Sequence, residues 1–306
     1  MTNKPEITVT SWIMMASLGL IWGGTFLATE IALEGITPFW LASSRTVLGA
    51  LATVSVWQMQ GRKLFAAPAP RQQYMLLVVI AVLSSSVPFA LLAWGQQYVT
   101  SGFAGVSMAS TALIVLPLAH FMIPGERTTP LRTMGFLVGF AGVVVLIGLQ
   151  AFDSSGSTLE LWGRLACVGA AACYAISSIQ LRQIQAINPI GLSAILLLLG
   201  AVFIVPLAWV VEGPPVMPDP HTLGVLAFLG LVPTAAASFL RVYVVRTAGP
   251  VFLSLLNYQV PIWSILLGAF FLNETLPSSL IWATSLILVG VGLTQFGAIR
   301  RLFTKP

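Results

Sequence analysis

Charge is what this chain has least of. Only 8% of its 306 residues are Asp, Glu, Lys or Arg, against about 25% in an ordinary soluble domain. So few charges cannot cover the surface of a chain this long, and a water-soluble fold is excluded. Cysteine and histidine are scarce too, at two each. Cys167 and Cys173 lie six residues apart in one apolar run, about 120° apart around a helix. They therefore read as small packing residues rather than a disulfide or a metal pair. The sequence has no His-Glu-x-x-His and no Gly-x-x-x-x-Gly-Lys-Ser/Thr, and its one Ser–His candidate, Ser107 with His120, falls on a single helix. That leaves no zinc protease, no convincing intramembrane serine protease and no nucleotide site. No catalytic residue, metal or cofactor is assigned, and the chain is expected not to be an enzyme.

Apolar sequence is abundant, with 57% hydrophobic residues and a mean hydropathy of +0.94. It falls into ten runs, at about 11–32, 38–58, 72–94, 102–122, 131–150, 161–181, 189–211, 222–244, 250–272 and 278–299. Each has roughly the 20 residues that a helix needs to cross about 30 Å of hydrocarbon. The first run is too long for a signal peptide and lacks a small-x-small exit, so it is expected to remain as a span. The expected fold is all-α and integral to the membrane, with ten transmembrane helices.

A net charge of +5 and a pI near 9.6 point to nucleic acid only until the charges are placed. With the N-terminus inside, the inner segments hold Lys4, Arg62, Lys63, Arg71, Arg127, Arg132, Arg182, Arg246, Arg300, Arg301 and Lys305, with Arg241 one turn from that side. Only Arg45 and Arg164 lie elsewhere. The outer loops hold Glu34, Asp153, Glu160, Glu212, Asp219 and Glu274. Basic residues at span ends face the cytoplasm, so both termini are expected there, in a cell membrane and without nucleic acid as a partner.

The chain also repeats itself. Thr111 through Thr128 has a counterpart in Gln259 through Leu276, 148 residues on, and Val87-Pro88…Tyr98 matches Val232-Pro233…Tyr243. Pro38 corresponds to Pro189. The expected units are 1–150 and 151–306, five spans each. An odd number of spans makes the second unit enter the membrane from the opposite side, which gives the inverted repeat typical of secondary transporters.

Several residues carry a family likeness. Leu20-Ile-Trp22-Gly23-Gly24-Thr25-Phe26 opens the first unit, and Arg45 follows Pro38 by seven residues. Gly125-Glu126-Arg127 closes run four, and Asn273-Glu274-Thr275-Leu276 closes run nine. In this order the chain resembles the EamA-type branch of the drug/metabolite transporter superfamily, from about Trp12 to Gly297. Within it, the chain most resembles bacterial exporters of aromatic and other neutral amino acids. The resemblance implies a cell-membrane carrier, its cavity lined by runs one, three, four, six, eight and nine. Its partners are a small-molecule solute and the lipid bilayer, with no ATPase subunit, and it is expected to be monomeric. Nucleosides, sugar derivatives and drugs remain alternative cargoes. Two departures stand out: Pro261 has no first-unit counterpart, and Leu196 matches Arg45.

Polar and aromatic residues inside spans nominate the site, because burying them in hydrocarbon is costly. The substrate candidates are Trp22, Ser84, Trp94, Tyr98, Thr111, Tyr174, Ser177, Asn257, Tyr258, Gln259 and Trp263. Gln259 with Trp263, one turn apart, is the favoured pair, next to a helix break expected at Pro261. Pro88, Pro233 and Pro261 are candidate gating bends. Ser and Thr hydroxyls also have the plainer option of bonding their own helix carbonyls, and Trp94, Tyr98 and Tyr258 that of an interfacial belt. Glycines spaced Gly19-x-x-x-Gly23 and Gly135-x-x-x-Gly139 read as packing faces. Arg45, Glu126 and Glu274 read as structural charges, Arg45 pairing with Glu30 or Glu34 or, alternatively, drawing a substrate carboxylate. No acid falls near the midplane, which favours movement down a gradient over proton coupling.

Overall fold

A computed structural model describes residues 7–61, 63–65, 68–123, 129–148 and 158–303. Its helices are α1 (Val9–Leu33), α2 (Pro38–Met59), α3 (Arg71–Gly95), α4 (Ser101–Met122), α5 (Pro130–Gly148), α6 (Glu160–Leu181), α7 (Pro189–Glu212), α8 (Pro220–Ala248), α9 (Leu256–Phe271) and α10 (Ser278–Phe303). Among the described residues nine are long and apolar enough to cross a membrane, and α9 is a shorter apolar helix. Sequence chemistry sets the starts. Pro38, Pro189 and Pro220 stand in the first turn, where a missing N–H costs nothing. The side chains of Thr100, Asn188 and Asp219 accept from the free N–H groups of their helices. Large apolar side chains such as Phe121, Val210 and Trp282 are exposed, as expected where the surrounding medium is lipid. The protein is an all-α integral membrane protein that crosses the bilayer many times.

The most extensive helix contacts join the two halves of the chain. They pair α5 with α10, α2 with α7, and α4 with both α6 and α9; α1 packs on α9 and α8, and α3 on α6. Shifting every label by five returns the same set: α4–α6 becomes α9–α1, α3–α6 becomes α8–α1, and the α5–α10, α2–α7 and α4–α9 pairs map onto themselves. Packing thus carries the repeat that the sequence spacing announced. Each half builds its core on the other.

Small residues allow the close pairs. Gly19 and Gly23 of α1 face Gln259 and Trp263 of α9, and a Cβ at Gly23 would stand 2.4 Å from the Trp263 Cβ. Gly135, Gly139 and Gly142 of α5 line α10, where a Cβ at Gly290 would fall 2.4 Å from the Gly139 amide nitrogen. In lipid, helices gain little from hydrophobic exclusion, so close van der Waals approach holds them together.

The prolines behave differently from the sequence expectation in one respect. Around Pro88 and Pro233 the backbone adopts π-helical turns, Val82–Ser86 before the first and Gly230–Ala236 around the second. The two halves therefore share this device, in which one extra residue per turn absorbs the missing bond. Pro261 does not break its helix: α9 runs through it. The interruption lies about two turns earlier, between Pro250–Leu253 and Leu256, with tight bonds from Asn257 N to the Ser254 carbonyl and Tyr258 N to the Leu255 carbonyl, both 3.1 Å. The expected opening at the Asn257 carbonyl gives way to a turn at Ser254-Leu255.

Because the Gly290 position meets backbone, Gly290→Ala should cost about 1–3 kcal/mol by overpacking. Gly224→Ala, where a Cβ meets nothing within 4 Å, should be neutral or stabilising by up to about 1 kcal/mol through helix propensity. Thermal unfolding of the two variants in detergent checks the contrast, and equal midpoints would refute the packing role of Gly290.

Candidate functional site

A cavity of about 850 Å³ lies between the halves. It is built from every helix rather than from the expected six: Arg45 comes from α2, Arg132 from α5, Ser193 and Leu196 from α7, and Thr294 and Gln295 from α10. Its wall reaches His120, Arg132, Arg182, Ser254 and Gln295, all near the helix ends on the face shared by the two chain termini. Its depth ends on Trp22, Phe26, Arg45, Phe89 and Leu92. Among the described residues the cavity is therefore open toward the terminal face and closed toward the other.

Of the sequence candidates, Trp22, Ser84, Thr111, Tyr174, Ser177 and Asn257 line this space, as do Pro233 and Pro261. Trp22 donates its indole N–H to the Pro233 carbonyl at 3.1 Å, using an acceptor within the π-helical turn. Thr111 donates to the Ala171 carbonyl at 3.3 Å and Ser177 to the Tyr174 carbonyl at 3.0 Å, so both hydroxyls are already engaged by backbone. The Asn257 amide has no side-chain hydrogen bond among the described residues and faces the cavity. It keeps its bonding capacity free for a guest.

The favoured pair from the sequence lies elsewhere. Gln259 and Trp263 face α1 at Gly19 and Gly23 and do not line the cavity. Asn257, about 200° around the helix from Gln259, takes the cavity side instead. Trp94 and Tyr98 pack on each other with ring centroids 5.1 Å apart, at the closed end of α3, and Tyr98 covers Gly163 of α6. Tyr258 packs into the α4–α10 core and its hydroxyl has no hydrogen-bond partner among the described residues. Pro88 lies off the cavity as well. Glu126 falls outside the described residues.

Arg45 corrects another expectation. It forms no ion pair with Glu30 or Glu34; among the described residues the ion pair is Arg164 with Glu160. Glu30 instead accepts from Gln96 at 3.3 Å and does not line the cavity. Arg45 is 8% exposed, donates from Nε to Thr234 Oγ1 at 2.9 Å, and rests its guanidinium 4.1 Å from the Phe89 ring centroid. Gly49, one turn along α2, lets Thr234 come this close. Tyr174 stands within electrostatic reach of the guanidinium. The terminal nitrogens of Arg45 have no protein partner among the described residues, which leaves the forked edge of the group open to the cavity.

The closed face is held by acids. Glu274 accepts from the Ser101 and Gly102 amides at 2.7 and 3.1 Å, capping α4. Glu212 accepts from the Thr37 hydroxyl at 2.6 Å and from the Phe39 and Trp40 amides at 3.0 Å each, capping α2. Both acids belong to the second half and both helices to the first. Each carboxylate answers the positive end of a helix dipole.

The sequence pattern of the EamA-like transporter family matches residues 10–148 and again 161–296. The chain belongs to the EamA-like transporter family. The transporter is similar to the uncharacterized transporter YoaV of Bacillus subtilis, 24% identical over 93% of this chain and 96% of the relative. It is also similar to the uncharacterized inner membrane transporter YedA of Escherichia coli K12, 26% identical over 92% of this chain and 89% of the relative. A WAT1-related chloroplastic protein of Arabidopsis thaliana is 26% identical over 95% of this chain and 70% of its own length. A crystal structure at 21% identity covers 97% of the transporter and 100% of that chain with a TM-score of 0.66, so the fold is shared.

The Glu212 and Glu274 caps join the two halves at the closed face, so their release is expected to favour its opening. Glu274→Gln, in a background without cysteine, should raise the rate at which an impermeant thiol reagent added from the closed face reaches Ala109→Cys. The expected gain is about tenfold, the worth of one charge-assisted bond. No change in that rate would show that the cap does not hold the closure.

Proposed function

We propose that this protein is an alternating-access carrier that exports small organic solutes with an apolar or aromatic body and an acidic head across a bacterial cell membrane. It works as a monomer, with both termini in the cytoplasm and without an ATPase subunit. Aromatic and other neutral amino acids are the cargo that the family resemblance puts first. One observation carries the reading: a buried arginine, open at its forked edge, at the closed end of a cavity between two interlocking halves. Guanidinium presents paired donors that match a carboxylate, while Trp22, Phe89 and Tyr174 offer rings for an apolar body. The pseudo-symmetric helix pairing supports exchange of the two faces, since each half can take up the packing of the other. Arginine-rich loops on the terminal face support the orientation.

Counterflow in sealed proteoliposomes, screening labelled amino acids and related organic acids, tests the reading. Saturable uptake that depends on preloaded solute is expected. Arg45→Gln at normal abundance should lower it about 10- to 100-fold, the range for a bond to a charged group, and Arg45→Lys should restore part of it. Full activity of Arg45→Gln would remove this residue from the site.

Orientation is checked separately. Cysteines introduced at Gly61 and at Val216, on opposite faces of the helix bundle, should react with an impermeant reagent in intact cells only at Val216. Reaction at Gly61 would reverse the assigned direction.

A further inference from the structure

Resting on the carrier reading above, the cavity's charge narrows the cargo further. Its lining includes Arg45, Arg132, Arg182, Arg241 and His120, and among the described residues no Asp or Glu. The sequence places Arg241 one turn from the cytoplasmic side, yet its side chain lies exposed inside the cavity, with no hydrogen bond or ion pair among the described residues. It shares a face of α8 with Thr234, the residue that holds Arg45, and with Ser238 between them. The 234, 238, 241 spacing follows the helical stripe, and seven residues place Arg241 about 10 Å nearer the open face. A guanidinium stays charged at any physiological pH. Among the described lining residues, no acid therefore answers these two arginines within their low-dielectric wall.

A zwitterion answers the arginines' field poorly. Its carboxylate suits Arg45, but its ammonium then sits against the same field with only the Asn257 amide, hydroxyls and rings around it. Among the described lining residues no acid is there to receive it. We infer that the cargo is a net anion without an ammonium group, an apolar organic acid that Arg241 receives at the throat and Arg45 holds at the floor.

The test compares three probes with the same phenylethyl body in proteoliposomes: 2-phenylethanesulfonate, phenylalanine and phenylethylamine. The sulfonate is ionised at every working pH and does not leak across as a neutral acid. Counterflow of the sulfonate is expected to exceed that of phenylalanine by about tenfold, with no carrier-dependent uptake of the amine. Arg241→Gln should reduce the sulfonate's advantage toward parity and Arg241→Lys should preserve it, with size-exclusion profiles confirming that both fold. Phenylalanine carried as well as the sulfonate, or an advantage untouched by Arg241→Gln, would overturn the anion inference and leave the carrier reading standing. Failure of every probe, together with failure of the wider counterflow screen, would overturn both.

Discussion

Hydrocarbon offers no partner to a hydrogen-bonding group, and the architecture follows from that constraint. Ten apolar runs become helices because helices satisfy their backbone internally. Where proline removes a bond, at Pro88 and Pro233, the chain winds into π-helical turns instead of opening. One carbonyl in the second of these, that of Pro233, is taken by the indole of Trp22. Hydroxyls fold back on their own helices, as Thr29, Thr46 and Thr53 do. At the helix ends the free amides find Glu212 and Glu274.

The same constraint ties the two halves together. Without water to drive helices together, close approach between small residues supplies the attraction, and the α1–α9 and α5–α10 contacts are both of that kind. Since α1–α9 is the five-step image of α4–α6, a rearrangement that tightens one pair can loosen its image without altering the total. The closed face adds two caps that tie second-half acids to first-half helices. Release of those caps is expected to be a local cost of opening that face, which any gain at the terminal face must offset.

The fold was legible because its signals are long. Twenty-residue runs and a repeat near 148 residues survive any ambiguity about single positions. The site was less so. Trp22, Tyr174, Ser84 and Asn257 were found because polar and aromatic groups in mid-span are rare, yet rarity does not tell which way a side chain points. Gln259 and Asn257 differ by two residues, and only the packing of α9 on Gly19 and Gly23 decides that Gln259 faces a neighbour while Asn257 faces the cavity. Arg45 was assigned an acid partner because Glu30 and Glu34 lie near in depth; rotation about α2 points it at Thr234 and Phe89. Arg241 was hidden by the rule that reads basic residues at span ends as anchors. Its position, seven residues inside the end of α8, was the available signal. Phe89 had none, since one phenylalanine in an apolar run looks like any other.

The absence of acids from the described cavity wall also bears on what could drive transport. A proton-coupled carrier needs a group that gains and loses a proton as access alternates, and Glu30, the acid deepest in α1, is engaged with Gln96 outside the cavity. A carrier loaded with a neutral zwitterion would then have only the solute gradient. A carrier loaded with an anion has a second source, because each negative charge leaving a cell that is negative inside releases about 2.3 kcal/mol per 100 mV. Arginines supply that possibility at no cost in titration, since they hold the anion in the membrane field while remaining charged themselves. On the proposed anionic cargo, the two arginines on the α2–α8 wall would connect substrate charge to direction, and the membrane field would favour outward movement.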